Sequence, residues 1–305
     1  MTYGPRKVKF GLIGLMIAAL ATPALSLDGT PTRLPVKVSF QSTDSDLRGG
    51  TPTTITGYLY KPAGSGLFAA VVGMHGCDGL LDEKGEIKPL YGQWGEILSR
   101  AGYIVLFVDS FQPRGRNSLR DDYGVGLLRE MPRDAVGGMN YLRSRPDVRS
   151  DGIAILGQSY GGAATLFTMS KSALPSDVAL PKAPEKDFPA AIVFYPGACP
   201  FLIRANAHWR SRQPMLLLMG ESDNWTPTAA CKEVIARANE EGGPPIDAHF
   251  YPNTYHGFDH PNFPIKVFTD VKVPPDGHSP TMGSNPEARA DAINRVTQFL
   301  AKQLQ

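Results

Sequence analysis

The 305-residue chain carries 31 Lys and Arg against 29 Asp and Glu, a formal charge of +2. Three of the basic residues and none of the acidic ones fall in the first 26 positions, so the remainder holds 28 basic against 29 acidic residues. That balance leaves no basic patch to argue for nucleic acid or an anionic membrane as a partner, and no Cys/His spacing resembles a metal site.

Residues 1–26 read as a secretory signal peptide. Arg6, Lys7 and Lys9 form a basic start, residues 10–20 an apolar core of 11 residues, and Ala24-Leu25-Ser26 a small-x-small cleavage site. The apolar run is too short to span a bilayer comfortably; an uncleaved anchor is the alternative. No later stretch is a transmembrane candidate. The mature protein is therefore expected to be soluble, periplasmic or secreted, with no stable membrane insertion after cleavage. Its 279 residues, 27–305, are enough for one α/β domain.

Residues 36–40 and 54–60 alternate in polarity and predict an antiparallel hairpin at a sheet edge, joined by a connection rich in Asp, Gly and Thr. Beyond them strand and helix patterns alternate, which predicts a mostly parallel sheet. Residues 68–74 read as the third strand, followed by His75-Gly76-Cys77-Asp78-Gly79-Leu80. The continuous apolar run 103–108 suits a central strand buried on both faces. An irregular stretch over 112–130, which begins at the catalytic edge of the sheet and is expected to frame the pocket, and a helix over 135–143 follow.

The apolar run 153–156 leads into Gly157-Gln158-Ser159-Tyr160-Gly161, and small residues after it begin a helix. Gly-x-Ser-x-Gly between strand and helix is the nucleophile elbow of an α/β-hydrolase. The elbow demands an acid and then a histidine later in the chain. Residues 214–220 form another apolar strand ending in Glu221-Ser222-Asp223, which puts Asp223 on a loop at the ligand-binding edge of the sheet. The last strand, 247–251, precedes His256.

Ser159, Asp223 and His256 are thus the expected triad. A serine hydroxyl needs a base to take its proton, and the acid holds that base in the right tautomer. Glu221 is the rival acid. Among the other histidines, His249 fits a structural place in the strand and His260 the rim of the pocket. The oxyanion needs backbone donors, expected from the Tyr160 and Cys77 amides, with Gly76 as the alternative to Cys77.

Cys199 follows the strand-like run 190–195 and Cys231 opens the helix after the Asp223 loop, so a Cys199–Cys231 disulfide is expected between neighbouring strand ends; two buried thiols are the alternative. Export would permit the bond. Residues 261–286 contain six prolines and read as a stiff wall of the pocket. Trp225, Phe111, Tyr195 and Phe258 are candidate pocket aromatics, with core packing as the alternative. A helix over 288–303 closes the chain.

The elbow, Gly220-Glu221-Ser222-Asp223-Asn224-Trp225-Thr226-Pro227, Tyr255-His256-Gly257-Phe258-Asp259 and Asp109-Ser110-Phe111-Gln112-Pro113-Arg114-Gly115 together resemble the dienelactone hydrolase family. The resemblance runs from about Leu34 to the last helix. It implies an α/β-hydrolase fold with helices on both faces of a mostly parallel sheet and no large cap domain. It also implies cleavage of ester or lactone bonds in small substrates, without a cofactor.

Founding members carry a cysteine where Ser159 stands, so this chain is a serine-nucleophile variant. Gly76 takes the place of their glutamate after the third strand, which argues against dienelactone itself as substrate. An arginine in the Arg114 region can hold a substrate carboxylate in that family by a bidentate contact; Arg114 is therefore an expected anion anchor, with a surface arginine as the alternative. The function expected is an exported serine hydrolase acting on small-molecule esters. A peptidase or acyltransferase with the same triad, or a non-catalytic binding protein, are the competing readings.

Overall fold

Runs of Val, Ile, Leu and Phe build one eight-stranded sheet from β1 (Val36–Gln41), β2 (Thr54–Tyr60), β3 (Phe68–Met74), β4 (Ile104–Asp109), β5 (Val148–Gln158), β6 (Ala191–Phe194), β7 (Met215–Gly220) and β8 (Ile246–Tyr251). The computed structural model describes Met1 and residues 34–118, 126–171, 187–205, 208–273 and 276–305. The expected leader, apart from Met1, lies outside them.

The strands lie in the order β1-β2-β4-β3-β5-β6-β7-β8. β1 and β2 are antiparallel, as is the β2–β4 pair, while every pair from β4 through β8 is parallel. All six residues of β4 and all six of β7 are buried, as a strand covered on both faces requires.

The crossover from β3 to β4 runs toward one edge of the sheet and those from β4 onward run toward the other. Right-handed crossovers therefore place α1 (Pro89–Arg100) on one face, and α2 (Gly126–Arg143), α3 (Tyr160–Thr168) and α5 (Thr228–Glu240) on the opposite face. The closing helix α6 (Pro286–Gln303) lies beside α1, where Arg289 Nε donates to Gln93 at 3.1 Å. Asn285 caps α6 through the Ala288 amide at 3.2 Å, with Pro286 opening its first turn. No described segment forms a separate cap domain. The strand order reverses between β3 and β5, and that switch point is where an open sheet offers a ligand crevice.

Two expectations change. The irregular stretch is shorter than 112–130, because α2 begins at Gly126 and carries Pro132 inside it. Proline reads as a boundary in sequence, but Met131, Ala135, Met139 and Leu142 form one fully buried stripe at helical spacing. Burial of that stripe holds the helix through the proline. The proline-rich stretch after His256 also contains a small antiparallel ribbon of β9 (Lys266–Val267) and β10 (Thr281–Met282). Two-residue strands leave no periodic trace in a sequence.

Cys199 opens α4 (Cys199–Arg204), and it is bonded to Cys231 in α5 across 32 residues of chain. The disulfide ties the turn after β6 to the helix after β7. A closed loop of that length stabilises by about 3.7 kcal/mol, chiefly by restricting the unfolded chain. Replacing both cysteines with alanine is expected to lower Tm by roughly 8 °C, read by calorimetry; an unchanged Tm would refute the assignment.

Candidate active site

β5 delivers Ser159 to the sheet's C-terminal edge on a tight turn. Its φ of 54° is unusual for a residue with a side chain and is a strained conformation. The surroundings hold it there: the Ser159 amide donates to the Phe194 carbonyl at 3.0 Å, and its own carbonyl accepts from Ala163 at 2.9 Å. A Cβ at Gly157 would strike the Gly161 carbonyl, and one at Gly161 would strike the Met74 carbonyl. Glycine at both positions lets α3 lie against the strands.

The three residues read as nucleophile, acid and base come together from three loops. Ser159 Oγ lies 3.0 Å from His256 Nε2, and His256 Nδ1 lies 2.8 Å from Asp223 Oδ2. Asp223 also accepts from the Trp225 and Thr226 amides, each at 2.9 Å, and from the Thr226 hydroxyl at 2.9 Å. A carboxylate bound at Nδ1 draws the ring proton there and turns the Nε2 lone pair toward serine. The rival acid, Glu221, is exposed and paired with Lys232 at 3.0 Å.

The loop after β3 carries Cys77 to the same cleft. Of the two amides considered beside that of Tyr160, the one on Gly76 donates to the Tyr91 hydroxyl at 2.8 Å, which leaves Cys77 as the better candidate. His75 anchors this loop to the end of β4. Its Nδ1–H donates to the Gly76 carbonyl at 2.8 Å and its Nε2 accepts from the Ser110 amide at 3.2 Å. Burial pushes the pKa of His75 down, so this neutral two-sided arrangement is maintained.

The cleft encloses about 360 Å³, including space open to solvent. Ser159 and His256 lie on it, with Cys77, Tyr91, Trp225 and Tyr195 around them. The Trp225 ring sits 5.3 Å and the Tyr195 ring 4.5 Å from His256. Phe111 and Phe258 are core residues instead: Phe111 packs edge-on against His75 at 4.4 Å, and Phe258 against Tyr251 at 4.9 Å. His260 and Met282 line the cleft, so the segment after His256 does frame it. No described residue of 112–130 lines it; Leu90 and Tyr91 of α1 do so instead.

Arg114 is not an anion anchor on this cleft. Its side chain is 4% exposed and held by Asp44 at 2.8 Å, Asp134 at 2.8 Å and Glu130 at 3.5 Å. Those acids come from the connection after β1 and from α2, elements that no local pattern around Arg114 announces. His249 lies in β8 with its ring 4.5 Å from Tyr251, a structural place.

One part of the site had no role in the sequence reading. Asp259, three residues beyond His256, is fully buried. It accepts from Tyr195 Oη at 2.5 Å, Trp94 Nε1 at 2.8 Å and Gln158 Nε2 at 3.1 Å. Burial, reinforced by this carboxylate, raises the Tyr195 phenol well above its ordinary pKa, so it keeps its proton and donates. The hub joins α1, the elbow and β6 behind His256. Its only sequence signal is an acid three residues after the expected base.

The profile of the dienelactone hydrolase family matches residues 55–304. No curated protein sequence matches significantly. Among solved structures, the dienelactone hydrolase of Anabaena variabilis ATCC 29413 is similar at TM-score 0.56 and 15% identity, over 90% of this chain and 100% of that one. Thermogutta terrifontis esterase 2 phosphorylated by paraoxon is similar at TM-score 0.57 and 17% identity, over 89% and 95%. Porphyromonas gingivalis dipeptidyl peptidase 4 reaches TM-score 0.57 and 16% identity, over 89% of this chain but 36% of that one. At such identities the likeness to solved structures concerns the fold. The profile match covers most of the chain, and the chain belongs to the dienelactone hydrolase family.

Proposed function

We propose that this protein is an exported serine hydrolase that cleaves carboxylic esters of small substrates through an acyl-enzyme. Family membership supports a hydrolase acting on esters. The observation that carries the finer reading is the relay from Ser159 Oγ through His256 to Asp223, at 3.0 and 2.8 Å, beside an open cleft.

In this reading His256 takes the Ser159 proton as Oγ attacks the ester carbonyl, and Asp223 stabilises the imidazolium that forms. The oxyanion is met by the Cys77 and Tyr160 amides, each such donor contributing about 10²–10³ in rate. Collapse of the tetrahedral adduct passes the proton to the leaving alkoxide. Water, activated by the same imidazole, then hydrolyses the acyl-serine. No step calls for a cofactor.

Export is supported by the leader pattern in residues 1–26 and by the Cys199–Cys231 disulfide, a bond that persists in oxidising compartments. Among the described residues no helix is long and apolar enough to cross a membrane.

The test is hydrolysis of a short-chain p-nitrophenyl ester and of the matched anilide, with intact-mass detection of a phosphonate adduct mapped to Ser159. Ester turnover and a Ser159 adduct are expected, with the anilide slower by orders of magnitude. Faster anilide cleavage would favour a peptidase. A folded protein inert to all three reagents would overturn the reading.

A further inference from the structure

Hydrogen bonds at its two nitrogens hold the His256 imidazole at Asp223 and Ser159 but leave the ring free to turn about the line between them. The plane of the ring is set by the aromatic groups packed against it. The Tyr195 ring lies 4.5 Å away, inclined at 60°, and the Trp225 ring 5.3 Å away at 36°. Trp225 is half-buried at the cleft, whereas Tyr195 is buried and tied down along its length. Its φ of 34° lies in the left-handed region that side chains disfavour. Its amide donates to the Leu218 carbonyl at 2.9 Å, its carbonyl stands 3.1 Å from the Thr226 hydroxyl, and its Oη donates to Asp259 Oδ1 at 2.5 Å. Backbone strain of this kind persists only where the surroundings over-determine it, and it collects at functional sites.

Stability alone does not account for Asp259. A carboxylate taken fully out of water is costly unless it is paired, and the three side chains that donate to it, Tyr195, Trp94 and Gln158, are all uncharged. What the carboxylate supplies is two fixed acceptor oxygens. Oδ1 takes the Tyr195 hydroxyl, and Oδ2 takes Trp94 of α1 together with Gln158, the residue before the nucleophile. Asp259 stands three residues from His256, and its own carbonyl accepts from Gln93 Nε2 of α1 at 2.7 Å. One side chain therefore ties the neighbours of both base and nucleophile to the same helix.

We propose that Asp259 and Tyr195 form a positioning pair for catalysis: the carboxylate anchors the phenol, and the anchored ring holds the His256 imidazole in line with Ser159 Oγ. This rests on the serine-hydrolase reading above. The imidazole takes a proton from Oγ, passes it to the leaving alkoxide and then activates water, so both halves of the reaction use its orientation. A misplacement of about 1 Å can cost about 10² in rate. With its hydroxyl released, the Tyr195 ring is free to tilt, and the imidazole packed against it follows.

The test compares Tyr195→Phe, Asp259→Asn and the double variant with wild type, on p-nitrophenyl acetate at a temperature where each is folded. Asparagine keeps the shape of aspartate but turns one acceptor oxygen into an NH₂, so it cannot receive both Tyr195 and the Trp94–Gln158 pair. Each single variant is expected to lower kcat by about 10- to 100-fold with KM within about twofold. The double variant is expected to lose no more than the more damaged single one, because both changes release the same ring. The NMR resonance of the His256 Nδ1 proton shared with Asp223 is expected to broaden in each variant.

A merely structural pair would lower Tm while leaving that resonance, and kcat of the folded protein, as in wild type; this result would overturn the proposal. Losses in kcat that multiply in the double variant would overturn it too. A raised KM with unchanged kcat would make Tyr195 a substrate contact instead. Should Asp259→Asn fail to fold, Tyr195→Phe, which removes one oxygen and keeps the ring, decides by kcat and the resonance alone. If the wild type neither turns over the ester nor takes a phosphonate at Ser159, the esterase reading falls, and this inference with it.

Discussion

Replacing Ser159 with alanine is expected to lower kcat for p-nitrophenyl acetate by about 10⁶, leaving only the slow reaction that binding and the oxyanion donors support. The size of the loss follows from the chemistry. Without Oγ no acyl-enzyme forms, and His256 Nε2 loses the hydroxyl that stands 3.0 Å away. The backbone at residue 159 is strained, with φ 54°, whichever of the two side chains is present, so Tm should change little. A variant of unaltered Tm that retained a tenth of the activity would show that Ser159 is not the nucleophile. The His256→Ala variant is expected to lose about as much as Ser159→Ala, because the two residues act as a unit.

The second large effect falls far from the chemistry. Arg114→Leu would remove the buried cation from a cluster in which Asp44 and Asp134 are fully buried and Glu130 nearly so, leaving only the more exposed Arg48 and Arg116 beside Asp44 and Glu130. Breaking a buried ion pair by deleting one partner typically costs about 3–5 kcal/mol, here a fall in Tm of roughly 10 °C. The guanidinium bonds Asp134 with both terminal nitrogens, at 2.8 and 2.9 Å, and Asp44 at 2.8 Å. Asp44 is in turn held by the Thr53 amide at 2.7 Å. Loss of Arg114 would therefore loosen the connection between β1 and β2 from α2. At a temperature where the variant is folded, KM for a small ester is expected to stay within about twofold of wild type. A large rise in KM with an unchanged Tm would restore Arg114 as a substrate ligand.

The strands and the elbow were legible because each rests on local pattern. The apolar run of β4 and the alternation of β1 and β2 report burial directly, through periods of one and two residues. Gly157 and Gly161 are glycine because the close approach of α3 to the strands admits no Cβ. The order serine, acid, histidine then picks out Asp223 and His256, since each must follow a strand to reach the same edge. Less was legible where partners lie far apart in the chain. Tyr91 meets the Gly76 amide across 15 residues, and Trp94 meets Asp259 across 165. Neither pairing leaves a spacing that a single sequence can display.

By itself, then, the amino-acid order determined the sheet's buried strands, the turn that presents Ser159 and the three residues of the relay, because these follow from periodicity, steric limits on glycine and chain order. Only the tertiary structure decided which long side chains reach the cleft. Arginine at 114 has the same local sequence whether it faces a substrate or three carboxylates. The acids of the β1–β2 connection and of α2 close around it only once the sheet has folded, and a buried guanidinium goes to the partners that satisfy its charge.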